Sequence, residues 1–487
     1  MRWPSALWLG CAAAILSTQS AGAQERESYD DFRNRVMAEH DAFRNSVLDS
    51  YSKFFNSVWQ EYEQFQEAGR WPEPKPLKAP VAPEPDKTRP AVTLPSPPRP
   101  EKPKVEVARK DVEVPETKRP QRTSGKETTI DFYGVPVVIA GRAPMLIGKL
   151  EKGADFAAQW EKLSADPTAI EAAAAIAAKA RELGLNDFLT FDLVREYVRQ
   201  TNTRAHSTVR TALVHYIASH LGFNIRVALV NGEGVILLNT LQTLYGKPYY
   251  NVAGEKYYLF PDGVDFSGPV RVSTCPLPAD ADHGRAVDMR FNRPLTLPVK
   301  PHDFTLTAAG LTLAGTVNAN IYPMLYRYPQ TDYEVYAVSS LDPSLRRDLV
   351  AQLKSQLDSV APLEAADRLL GFTQTAIKYA TDEQAHGFEK PYFLEEWLYY
   401  PLNDCEDRAV FYSYMLWNAL GIECQMINYP GHESVALTLP GVTEGDRYES
   451  EGKTFLISDP TYIGARTGQG MPVYATTPPR IDYHYHR

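Results

Sequence analysis

Asn403-Asp404-Cys405-Glu406-Asp407-Arg408-Ala409, Tyr429-Pro430-Gly431-His432 and Ser458-Asp459-Pro460-Thr461 are the three stretches on which the reading of this chain turns. After Cys405, residues Ala409, Tyr412, Leu416 and Leu420 recur at helical spacing. This predicts a helix with a buried stripe over about 405–420, stopped by Gly421. Strands are predicted at 422–429, 434–439 and 454–458. Cys405 then starts the helix, His432 heads a strand after a Pro-Gly turn, and Asp459 follows the next strand. A helix start and two neighbouring strands can bring these side chains together. The roles that follow are thiolate nucleophile, imidazole base then acid, and a carboxylate that orients the imidazole.

The first turn of a helix offers unpaired amides and the positive end of the dipole, which favour a thiolate. Asp404, Glu406 and Asp407 act the other way, because nearby negative charge raises a thiol pKa. Arg408 and a protonated His432 are the local candidates to offset it. Otherwise the carboxylates face solvent or hold a cation.

The order Cys405, His432, Asp459 resembles the transglutaminase-like superfamily, a circularly permuted relative of papain-like proteases. The supporting matches are the Ala409 helix, Leu420-Gly421-Ile422, Gly431-His432 and Asp459-Pro460. The run Asp404-Cys405-Glu406-Asp407 is similar to the Asp-Cys-Glu-Asp of bacterial transglutaminase-like cysteine proteinases. The resemblance covers about residues 330–465. It implies an α+β fold and a Cys405–His432–Asp459 triad. The Cys405 amide is one oxyanion donor. An upstream side chain adds a second, for which Trp397 is the candidate, with an aromatic core role as the alternative. Related proteinases can bind calcium, which takes about six to eight oxygen ligands. Those cannot be counted along a sequence, and no cofactor or metal is assigned. The family holds peptidases, deamidases, cross-linkers and inactive members, so fold leaves the substrate open. The expectation is a thiol enzyme acting on peptide or protein amides through an acyl-enzyme, resolved by water. A cross-linking transglutaminase and a non-catalytic binding or scaffolding protein are the alternatives.

Upstream of Cys405, Asp342-Pro343 starts a predicted helix through about Val360, and another covers about 363–380. The same series occurs earlier in the chain. Asp166-Pro167 starts a helix through Leu183, helices follow at 187–200 and 206–221, and strands at 223–230, 234–239 and 256–260. His220-Leu221-Gly222-Phe223 parallels Ala419-Leu420-Gly421-Ile422. An internal duplication is therefore expected: a degenerate domain over 126–265, a β or loop region over 266–325, and a catalytic domain over 326–487. His206, Glu233 and Asp262 fall where Cys405, His432 and Asp459 fall, and the 206–233 gap equals the 405–432 gap. No nucleophile and base stand in those places, so the first copy is expected to be silent.

Residues 71–125 are rich in Pro, Lys and Glu, which predicts an extended, disordered linker of polyproline character. Residues 24–70 form a predicted helical arm with an 11-residue repeat, in which Phe32, Phe43, Phe54 and Phe65 keep one face. Coiled-coil self-association, docking on the body, a partner or a membrane surface are its expected uses. Arg2, the apolar run Ala6 to Leu16 and Ala21-Gly22-Ala23 read as a signal peptide over 1–23, implying periplasmic or secreted export. No later apolar run is long enough for a membrane span.

Composition agrees with a globular protein: 487 residues, 44% hydrophobic, net charge -9. Nothing in it suggests nucleic-acid binding. Cleavage would leave Cys275, Cys405 and Cys424, an odd number, so this is no disulfide-stapled scaffold. A Cys275–Cys424 bridge would leave Cys405 free.

Overall fold

The computed structural model describes residues 75–83, 91–98, 127–252, 254–263, 272–275 and 284–486. The signal peptide, the aromatic arm and its self-association lie outside the described residues. The chain divides into two compact units, and Gln66–Arg487 is the one described below. It is α+β.

A hairpin, β1 (Thr128–Phe132) and β2 (Val135–Ile139), leads into four helices: α1 (Gly153–Ser164), α2 (Pro167–Glu182), α3 (Asp187–Thr201) and α4 (Ser207–His220). Strands β3 (Ile225–Val230), β4 (Glu233–Asn239), β5 (Tyr249–Val252), β6 (Glu255–Pro261) and β7 (Val272–Thr274) follow. Next come the hairpin β8 (Pro301–Ala308) and β9 (Leu311–Asn318), and helices α5 (Tyr322–Leu325), α6 (Tyr333–Val338), α7 (Pro343–Leu357) and α8 (Pro362–Thr375). Strand β10 (Lys378–Tyr379), helices α9 (Asp382–Ala385) and α10 (Leu394–Trp397), and strand β11 (Leu402–Asn403) lead to α11 (Cys405–Leu420). The chain closes with β12 (Cys424–Tyr429), β13 (His432–Leu437), β14 (Arg447–Ser450), β15 (Lys453–Ile457) and β16 (Arg480–Tyr485).

Local chemistry sets several of these boundaries. The Asp166 carboxylate accepts from the Thr168 amide, and that of Asp342 from the Ser344 and Leu345 amides, each with Pro at the first helical position. Gly421 ends α11 at φ 68°, in the left-handed region where a side chain is unfavourable.

The two five-stranded sheets share one strand order, β5-β6-β4-β3-β7 and β14-β15-β13-β12-β16, with antiparallel neighbours throughout. In each, the preceding helix, α4 or α11, packs on the central hairpin. That hairpin turns on two residues, Asn231-Gly232 in the first sheet and Pro430-Gly431 in the second. One continuous apolar core spans both sheets, from Ile130 to Tyr485. Cys275 and Cys424 are buried free thiols belonging to different sheets, so they do not form the bridge considered above.

Two stretches of the Pro-rich segment, 75–83 and 91–98, are extended and held on the body rather than free of it. The Ala82 amide donates to the Ile463 carbonyl at 2.8 Å, and the Ile463 amide to that of Pro80 at 2.8 Å. Leu94 and Val92 make the same pair of bonds with Arg447, at 2.7 and 3.0 Å. Prolines leave these carbonyls free to accept and hold the segment straight. Leu94 is buried against Ile427, Tyr429 and Ile457. Among the described residues, no helix is long and apolar enough to cross a membrane.

Candidate active site

Cys405 is the first residue of α11, and His432 opens β13 directly after the Pro430-Gly431 turn, with Gly431 at φ 69°. Helix α11 packs on β13, and the Cys405 sulfur lies against the Glu433 amide, next to His432 in the chain. Asp459 follows β15. Its Oδ2 is 2.8 Å from His432 Nε2, and its Oδ1 accepts from the Thr461 and Tyr462 amides at 2.8 and 3.2 Å. All three side chains are buried. His432 Nδ1 has no hydrogen-bond partner among the described residues.

Two groups absent from the sequence reading hold this pair in place. Gln374 Nε2 on α8 donates to the carbonyls of Asp459, Tyr462 and Ala465, and its Oε1 accepts from the Gly464 amide. Tyr474 stacks on His432 with ring centroids 5.6 Å apart and planes 2° apart, and on Tyr429 at 4.6 Å. Neither residue has a local motif that marks it.

The thiol's own hydrogen bond goes to Glu406 Oε2, at 3.1 Å. Burial, then the charges of Glu406 and Asp404, push its pKa well above the ordinary thiol value. Arg408, expected to offset these charges, hydrogen-bonds Asn403 Oδ1 at 2.8 Å and the Ile377 carbonyl at 3.0 Å, and its charge acts on Asp404, Asp407 and Cys405. A second offsetting cation, from the Pro-rich segment, is Lys75. Its Nζ lies 3.0 Å from Asp404 Oδ2, 2.7 Å from Glu389 Oε1, and against Glu406 Oε1. Burial opposes this ammonium, yet Asp404 and Glu406 hold its pKa well above the usual lysine value. No sequence neighbour points to Lys75.

Carboxylates gather densely here. Burial and Glu406 raise Asp382 to about 8, burial and Glu406 raise Glu389 to about 7, and burial and Asp382 raise Asp404 to about 6 against Lys75. Asp382, Glu389, Asp404, Glu406 and Asp407 form overlapping groups whose oxygens come within 4.8 Å. Each group brings three residues together, short of the roughly six to eight oxygens that calcium takes. Lys75 supplies the positive charge there.

Trp397 lies in the core, its ring stacked on Phe411 at 3.8 Å. Its Nε1 has no hydrogen-bond partner among the described residues.

In the first half, Glu233 occupies the place of His432 at the hairpin turn. It accepts a short bond from the Ser207 hydroxyl and lies 3.7 Å from His206 Nε2. Asp262 is paired with Arg210 Nε at 2.5 Å. Spacing sets His206 opposite Cys405, but α4 starts one residue later, so His206 caps the helix and Ser207 takes its first position. No imidazole stands opposite that hydroxyl at the hairpin.

No protein-family model matches this chain, and no curated protein matches its sequence.

Proposed function

We propose that the chain is an exported thiol enzyme built from two tandem transglutaminase-like (papain-like) domains, the first degenerate, that acts on peptide or protein amide bonds. The observation that carries this reading is the buried His432–Asp459 pair at 2.8 Å, packed beside the helix that begins with Cys405. Asp459 uses Nε2, which leaves Nδ1 to take the thiol proton. The thiolate adds to the amide carbon, and the developing oxyanion meets the Cys405 amide, a helix-start N–H with no partner in its own helix. Trp397 Nε1 is the candidate second donor. The imidazolium then returns the proton to the leaving amine as the C–N bond breaks. Water, deprotonated by the same imidazole, adds to the thioester and releases acid and thiol. This makes the enzyme a cysteine peptidase or deamidase. Resolution by an amine would make it a cross-linker.

One observation favours a second reading, a non-catalytic binding or scaffolding protein. The thiol bonds to Glu406 rather than to His432. A peptidyl thiol-directed electrophile, with mass mapping, separates the two. The enzyme reading expects one adduct, on Cys405, lost in His432→Ala while the fold is kept. Absence of the adduct on the native chain with its fold intact would favour the scaffold.

A further inference from the structure

The carboxylate pocket is filled by the chain itself. The Lys75 ammonium brings three donors to three carboxylates, those of Glu389, Asp404 and Glu406. Asp404 and Glu406 are fully buried, and Asp404 Oδ1 still has no donor among the described residues. Leaving such charges without a cation is strongly unfavourable. Glu406 also links the pocket to the thiol, since its Oε1 meets Lys75 and its Oε2 meets Cys405 Sγ. The next residue is held as well: Tyr379 Oη donates to the Pro76 carbonyl at 2.9 Å. Tyr379 belongs to β10, which pairs with β11 immediately before Asp404.

Further along, the segment behaves as an added peptide strand. Val92 and Leu94 exchange hydrogen bonds with Arg447, the first residue of edge strand β14. With Asp459, Tyr429 and Tyr474 they line one small cavity, so this stretch lies over the His–Asp side of the site. Lys75 lies on the Cys405 side.

We propose that the carboxylate pocket beside Cys405 is a subsite for a lysine side chain carried on an extended, proline-containing peptide, and that residues 75–83 and 91–98 occupy this cleft in the resting chain. The proposal rests on the thiol-enzyme reading for its biological use, and names the peptide class that the site takes. An extended peptide supplies main-chain bonds to the edge, and its lysine supplies the charge that the pocket requires. Substrate and strap then compete for the same groups.

The test uses the full chain with Lys75→Glu, which the carboxylates should expel, and Lys75→Gln, which removes charge with less change in shape. The ligand is a fluorescent synthetic peptide of residues 73–83, followed by anisotropy. It is expected to bind the folded variants at least tenfold more tightly than the wild-type chain, whose own strap competes. The same peptide with Lys75→Ala should bind at least tenfold more weakly than the native peptide. In parallel, the amides of Ile463 and Arg447 should exchange hydrogen at least tenfold faster in the variants. Absence of peptide binding to folded variants, equal binding of the two peptides, or unchanged exchange would each overturn the proposal. Binding is read without turnover. A Cys405 that never acylates would therefore sink the enzyme reading alone, and indifference to Lys75 would sink only the subsite.

Discussion

His432 Nε2 lies 2.8 Å from Asp459 Oδ2, and Nδ1 is the ring nitrogen that has no hydrogen-bond partner among the described residues. Asp459→Asn keeps an acceptor for the Thr461 and Tyr462 amides but no longer fixes the imidazole. Turnover of an identified substrate should fall on the order of 10²- to 10⁴-fold, the usual range for general acid–base help, with the far-ultraviolet spectrum unchanged. A loss below about tenfold would remove the pair from the mechanism.

Alkylation should single out Cys405 among three buried thiols. Its rate should rise through the alkaline range, because burial and Glu406 hold the thiol well above its ordinary value. Glu406→Gln removes the nearest negative charge and should speed labelling at pH 8 by about tenfold for each pKa unit recovered. Iodoacetamide with peptide mapping reads both. Faster labelling of Cys275 or Cys424 in the folded chain would count heavily against the triad.

The first half should be catalytically silent. Glu233, a carboxylate rather than an imidazole, stands at the hairpin against Ser207, and Asp262 is held by Arg210, so the first half has no Cys–His–Asp set. Replacing His206, Glu233 and Asp262 together by Ala should change turnover by less than about tenfold, roughly 1.4 kcal/mol in barrier, provided folding survives. A greater loss in a folded variant would give this half a direct part.

Asp382 makes stability depend on pH in a stated direction. Burial, with Glu406 and Glu389, raises its folded pKa to about 8, against about 3.9 unfolded. The folded chain therefore binds more protons between these values, and this contribution to stability is lost as pH rises from about 4 to about 8. Asp382→Asn, which has no charge to develop, should gain on the wild type in thermal midpoint between pH 5 and pH 8. A midpoint difference that stays constant with pH would contradict the buried position of this carboxyl.

The aromatic arm should drive self-association. Phe32, Phe43, Phe54 and Phe65 share one helical face in the sequence, and such a stripe needs cover. Sedimentation of the mature chain should give an oligomer, and a version starting at Trp71, which retains the strap residues, a monomer. Two monomers would favour docking on the body, a partner or a membrane surface.

Short-range rules reached far into this fold. Periodicity and stop signals located α11 and, of the five strands after it, β12, β13 and β15, because helix stripes and glycine ends are properties of neighbouring residues. The Asp-Pro starts of α2 and α7 were legible for the same reason. The strand order shared by the two sheets was not written locally, although the repeated series of elements hinted at it. Only tertiary structure decided the electrostatics around Cys405. Arg408, three residues away, spends its hydrogen bonds on Asn403 and Ile377, while Lys75, more than three hundred residues away, meets the carboxylates directly. Burial decides this. Side chains of α11 that face the interior must find partners wherever the packed chain presents them, and sequence distance does not enter. The one-residue difference in helix start between His206 and Cys405, and the hold of Gln374 on the Asp459 loop, likewise depend on how helices seat against sheets.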